Sequence, residues 1–173
     1  MRSFVRGIVF FILFLPLFRE QAYGLREDGI QLTETHVSFY CYRLGPDRNA
    51  EILILKRKTN RQIAPGEWEC GGGQVREDED FESAARRQLL EETGLKATHW
   101  RPLGCFEMKV GGKIIPGLGF SCRVPYDVDV KIDKREHSEY RWATLDTIKD
   151  IDFVSPKMKQ TIIHLLISQS RAW

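Results

Sequence analysis

Two periodicities share this chain, one of two residues and one near 3.6, and they divide it into elements. From His36 to Leu44 aromatic and β-branched residues dominate, which predicts a strand. Gly45-Pro46-Asp47-Arg48-Asn49 predicts a turn and the run Glu51 to Leu55 a second strand, so the two read as a hairpin. Arg57 to Glu67 is polar and irregular, closing on Pro65-Gly66. Trp68 to Val75 holds three successive glycines, Gly71, Gly72 and Gly73. Such a run predicts a backbone that bends or approaches another group closely.

Beyond it the period changes. Phe81, Ala84, Ala85 and Leu89 recur at helical spacing, with Asp80 as the N-cap and Gly94 as the stop. Strand-like stretches from Leu103 to Val110 and from Lys113 to Val124 flank a Gly111-Gly112 turn. Arg135 to Ala143 is charged, then aromatic. Ser155-Pro156 opens a last helix, serine capping and proline in the first helical position, and its apolar stripe includes Ile162, Ile163, Leu165, Leu166 and Ile167. Strands interrupted by one central and one terminal helix, without an internal repeat, predict a single mixed α/β sandwich.

Composition adds limits. The 173 residues are 42% hydrophobic and 29% charged, an ordinary globular balance for one domain. The 26 basic and 24 acidic side chains fall to 23 of each once Arg2, Arg6, Arg19 and Glu20 are set aside. A neutral remainder has no long-range field to hold duplex nucleic acid, so any phosphate must be bound by local chemistry. Those four residues lie in a segment, 1–24, that reads as an export signal. It has a basic start, an apolar run from Gly7 to Phe18, and small residues at Ala22 and Gly24. The expectation is export, to a periplasm or outside the cell, with an uncleaved membrane anchor or an upstream start codon as alternatives. The apolar run is short for a bilayer span. Cys41, Cys105 and Cys122 sit in strand-like stretches, where a thiol acts as a small hydrophobe, and Cys70 precedes the glycines. No zinc-ligand spacing occurs; one disulfide is left open.

Residues 73–95 read GQVREDEDFESAARRQLLEETGL. Gly73, Glu79, Arg87, Leu89, Glu91, Glu92, Gly94 and Leu95 stand at the spacing of the Nudix box, which this segment closely resembles. One specified position departs: Gln88 replaces glutamate. On a helix, positions 88, 91 and 92 share a face, and adjacent glutamates repel unless a cation lies between them. Hard divalent cations take carboxylate oxygens, and Arg87, four residues before Glu91, has the fork to hold that carboxylate.

The resemblance covers the chain after about residue 35 and implies a Nudix domain over 35–170, a mixed sheet between helices. It implies a Mg2+- or Mn2+-dependent pyrophosphohydrolase acting on a nucleoside diphosphate linked to another moiety. Glu91, Glu92, Gly73 and Glu136 are the expected metal ligands, and Glu92, Glu91, Arg87, Gln88 and Glu136 the expected catalytic group. Glu79 is expected to support. Gln88 cannot accept a proton at neutral pH, so the base is expected elsewhere, first at Glu136 and second at Glu139. Those two precede an Arg141-Trp142 pair, as a loop glutamate does in many Nudix proteins. Trp68 and Glu69 are candidates for stacking on a nucleobase and accepting from its edge, with a buried structural tryptophan as the alternative; Glu139 is a further substrate contact. His137 is expected to face solvent. Val110 stands where ADP-ribose cleavers tend to carry proline, and Gly111, Gly112 and Lys113 where one dinucleoside polyphosphate branch has tyrosine. The Ser-Gln-Pro-Trp run of the NADH-cleaving branch is absent. A mutator-like or general nucleotide pyrophosphatase remains. The rival is a Nudix-fold module that binds a nucleotide without turning it over, a reading Gln88 favours.

Overall fold

The computed structural model describes residues 34–170, so the export segment expected at 1–24 lies outside the described residues. Among them, no helix is long and apolar enough to cross a membrane.

Strands β1 (His36–Leu44) and β2 (Ala50–Arg57) form the predicted hairpin. Both are buried on two faces, which is why they read as nearly continuous apolar runs. Ile52 and Ile54 pack on one side against Ile162, Leu165 and Leu166 of the terminal helix α2 (Pro156–Ser170). Leu53 and Leu55 face the other side, with Leu89 of the central helix α1 (Phe81–Thr93). The helices therefore cover opposite faces, as the α/β/α reading expects. Capping follows the sequence: Asp80 Oδ1 accepts from Ser83 N at 2.9 Å, and Gly94, at φ 69°, donates to Leu90 O.

β1 and β2 stay paired only from Tyr42↔Ile52 to Leu44↔Ala50, then part. The fork between them is filled by the segment from Trp68 to Gln74. Its first half, β3 (Trp68–Glu69), pairs with β2, and its second, β4 (Gly72–Gln74), pairs with β1. Cys70 and Gly71 cross the gap, and Phe39 N donates to Gly71 O. On its other side β1 runs parallel to β6 (Lys113–Arg123), which pairs with the edge strand β5 (Thr98–Val110). The opposite edge is β7 (His137–Ala143), antiparallel to β2.

Three expectations need correction. β5 begins at Thr98, five residues before the expected Leu103, because an edge strand tolerates Pro102 and register irregularities that a sequence pattern does not reveal. Cys105 is exposed on that edge instead of acting as a core hydrophobe. All four cysteines are free thiols, so the disulfide left open is not formed.

The glycines have a steric cause. Gly71 and Gly72 have φ of 50° and 145°, where L side chains are strained. A Cβ on Gly71 would overlap the Phe39 ring, and one on Gly72 the Val37 carbonyl oxygen. Gly72→Ala is expected to destabilise the protein by about 3 kcal/mol, combining strain with overpacking. Urea denaturation measures this; a loss below 1 kcal/mol would mean the fork relaxes freely.

Candidate active site

The loop entering α1 is clasped to the helix by one guanidinium. Arg87 Nε and Nη2 bind Glu79 at 2.8 and 2.7 Å, Nη2 also reaches Gln74 O at 3.0 Å, and Nη1 contacts Glu91 at 3.1 Å. This fork holds the Glu79 carboxyl below its ordinary pKa. The fork expected on Glu91 thus goes chiefly to Glu79.

Glu91 and Glu92 part company. Adjacent helical residues point roughly 100° apart, a consequence of 3.6 residues per turn. Glu91 faces solvent and pairs with Arg87 and, at 3.3 Å, with Arg76. Glu92 turns inward, 5% exposed, and its Oε1 accepts from Gly72 N at 2.9 Å. Pointing apart, the two carboxylates repel less than their adjacency in sequence suggests. Gln88 lies against Gly73, close enough that a Cβ there would strike its amide. With that amide turned to satisfy both its atoms, its nitrogen donates to Glu92 Oε1 at 3.3 Å and its oxygen accepts from Arg87 Nη1 at 3.0 Å. Gln88 therefore supplies a donor where a carboxylate would face Glu92 with like charge.

A second segment is docked on the end of α1. The last carbonyls of a helix lack partners within it. Here Asp133 N donates to Glu92 O and Lys131 N to Thr93 O, at 2.8 and 2.9 Å. Glu136 N and His137 N then return to Asp133 O, and Lys58 N donates to Glu136 O. This lattice places Glu136 at the rim, its carboxylate 3.4 Å from Arg61, and His137 inside.

His137 is 1% exposed, which corrects the solvent-facing expectation. The cause is a break in register. Lys56 pairs with Glu139, but Arg57 pairs with His137, so a bulge skips Ser138 and re-aims the histidine. His137 Nε2 stands 3.0 Å from Glu69 Oε1 and 3.8 Å from Glu92 Oε2, while Nδ1 is buried without a partner. The tautomer protonated at Nε2 leaves no donor unsatisfied. Glu69 Oε1 also binds Arg57 Nη1 at 2.7 Å. Arg57 and His137 were not singled out as site residues; polar residues at the ends of buried strands were their only signal.

The two buried carboxylates titrate in opposite directions. Burial pushes Glu92 well above the usual carboxylate range, partly offset by the Gly72 N–H and reinforced by Glu69 and Glu136. Burial would raise Glu69 as well, but the His137 hydrogen bond and the Arg57 charge bring it below its ordinary value. Two buried acids that lie close together are thus pushed apart in pKa by their different partners.

Three substrate-side expectations do not hold. Trp68 is 7% exposed, packed with Ile54 and Leu166, and Arg141 lies 4.7 Å over its ring, so no base can stack there. Its burial is the alternative reading realised. Glu69 turns into the ionic cluster and is not presented to a base edge. Glu139 sits across from Lys56, which itself pairs with Trp68, and binds Arg141; it lies on the α2 face, opposite Glu92. The second choice of base is thereby removed.

For a metal, the donors fit in kind but are not gathered. Glu91, Glu136 and Glu92 are hard carboxylates around the Gly72-Gly73 turn, two of them held only by ion pairs of 3.1–3.4 Å. Among the described residues, no three His, Cys, Asp or Glu side chains converge as a ready cluster.

The site thus lies in a mixed sheet between two helices, with a glycine turn feeding a carboxylate-bearing helix. A family model described as the NUDIX domain matches residues 34–165, and the chain belongs to that family. It is 28% identical to the NAD-capped RNA hydrolase of Macaca fascicularis over 134 residues, 73% of this chain but only 28% of that protein. It is 36% identical to the CTP pyrophosphohydrolase of Escherichia coli over 98 residues, 57% of this chain and 70% of the relative. Among solved structures, a MutT protein from Methanosarcina mazei superposes with a TM-score of 0.62 at 23% identity, covering 86% of this chain and 99% of its own. An Ap4A hydrolase from C. elegans gives 0.65 at 19%, covering 81% and 98%.

Glu92→Gln keeps an acceptor for Gly72 N and should fold normally. A carboxyl whose folded pKa is raised favours the native state less as pH rises above about 4.5. Wild-type stability should therefore fall with pH through that window and beyond, while the variant loses this dependence. Urea denaturation from pH 5 to 8 measures it; parallel curves would mean that Glu92 is not the raised group.

Proposed function

We propose that this chain is a divalent-metal-dependent pyrophosphohydrolase cleaving a nucleoside diphosphate linked to another moiety. The observation that carries the reading is the box clasp on α1, where Arg87 ties Glu79 and Glu91 together while Glu92 is held behind the glycine turn by Gly72 N. Mg2+ or Mn2+ held by Glu91, Glu92, Glu136 and the Gly73 carbonyl would neutralise diphosphate oxygens and lower the pKa of bound water. Of the protein's groups, Glu136 at the rim serves as the base, since Gln88 cannot and Glu139 faces away. Arg87 fixes the box loop, and His137 with Arg57 keeps Glu69 charged. Arg61 and Arg76 carry the exposed positive charge nearest these carboxylates and meet the phosphates of a small nucleotide; duplex nucleic acid is not the partner. If residues 1–24 act as an export signal, this activity lies outside the cytoplasm.

The test is phosphate or nucleotide release from nucleoside triphosphates, nucleotide sugars, ADP-ribose and dinucleoside polyphosphates, with Mg2+, Mn2+ or chelator. Cleavage that disappears with chelator supports the proposal and names the substrate. Nucleotide binding without cleavage would favour a second reading, a binding module, whose motivating observation is Gln88. Under the first reading Glu92→Gln lowers kcat by about 100-fold or more, the scale of a lost metal or acid–base group.

Gln88→Glu separates the readings further. It removes the donor to Glu92 and adds a hard ligand, so metal-free thermal stability should drop while the stabilisation on adding Mn2+ grows. Turnover should rise several-fold. Unchanged turnover with tighter metal binding would mean Glu136 already supplies the base.

A further inference from the structure

We infer that Tyr140, and not Trp68, is the platform on which the nucleobase of the substrate stacks; this rests on the nucleotide pyrophosphohydrolase reading above. Leu55 on β2 pairs with Glu69 on one side and with Tyr140 on the other. Direct cross-strand neighbours share a face, so Tyr140 stands on the same face of the sheet as Glu69, Glu92 and His137. Strands lie about 4.8 Å apart, which sets Tyr140 about 10 Å from Glu69 across the sheet. Along β7 it is three residues, again about 10 Å, from His137. That is the reach of a nucleoside from its own phosphates.

The surroundings favour a stacking ligand. Helix α1 rests chiefly on β1, β4 and β6 and reaches β2 through Leu89, beside Leu53 and Leu55. Leu53 and Leu55 are closed over by the cluster that includes Val128, Val130 and Ile132, whereas Tyr140 on β7 is exposed. Trp142 is half-buried with Arg43 4.2 Å over its ring, whereas Tyr140, two residues nearer the ionic cluster, is 38% exposed. The ring of Trp68 lies on the other face under Arg141. Glu69 is occupied by Arg57 and His137 and does not read a base edge. A π-face without an edge reader binds any base, so the site takes nucleotides with little base preference, larger purine rings being held more tightly.

The experiment uses the substrate cleaved in the panel assay and compares wild type, Tyr140→Leu and Tyr140→Phe. Tyr140→Leu should raise KM roughly tenfold with kcat within about twofold, the loss expected when one stacked ring is removed. Tyr140→Phe, which keeps the ring, should restore the wild-type KM. Inhibition by ribose 5-phosphate, which has no base, should be the same in wild type and Tyr140→Leu. Unchanged KM in Tyr140→Leu, with the wild type active, overturns the platform and leaves the hydrolase reading intact. A KM increase matched by equally weaker ribose 5-phosphate inhibition also overturns it, because the phosphate subsite would then have moved. A wild type that neither cleaves nor binds any nucleotide overturns both.

Discussion

The approach of residues 70–73 to β1 leaves no room for a Cβ at Gly71 or Gly72. Strand β2 separates from β1 after three paired positions, and only a backbone without side chains on its inner side can close the gap while still pairing with both. The same bareness lets α1 come down against the turn. Gly72 N then points at Glu92, and Gly73 leaves a seat for the Gln88 amide. Sheet continuity, the position of the box helix and the environment of its buried acid are thus settled by one stretch of main chain.

Around that turn the charges are sorted by burial more than by number. Glu91 and Glu92 are neighbours in the chain, yet one is a solvated partner of arginines and the other a buried acid. Removing a carboxylate from water costs far more than an exposed pair returns, so burial raises the pKa of Glu92 while Glu69, with two cationic or donating partners, is lowered. Gln88 belongs to this sorting. Its amide lets three polar side chains crowd at the end of α1 without a further negative charge.

Much of this was legible beforehand. The hairpin, the capped central helix, the terminal helix and the glycine approach follow from period and punctuation, and the box spacing led to Glu79, Arg87, Glu91 and Glu92. What the sequence could not carry was direction. Helical spacing put Gln88, Glu91 and Glu92 on one face, but a face is broad enough to hold both a buried and an exposed acid. Trp68 is a stacking candidate by type alone, and its strand parity points it at α2, as the buried alternative requires. Glu139 stands as a second choice of base beside Glu136 because counting along the sequence does not reveal that the register breaks between them.

That break carries a lesson about comparing this chain with its relatives. Residues from Glu139 onward keep the phase of the sheet, while His137 and Glu136 keep the phase of the loop seated on α1. A gap placed one position away at Ser138 would exchange an inward histidine for an outward serine and shift the rim glutamate with it, while scoring almost the same. Homology by alignment is therefore least dependable at the residues where chemistry is most sensitive to it. The skipped position, silent in any list of conserved types, is the landmark from which this edge of the site should be counted.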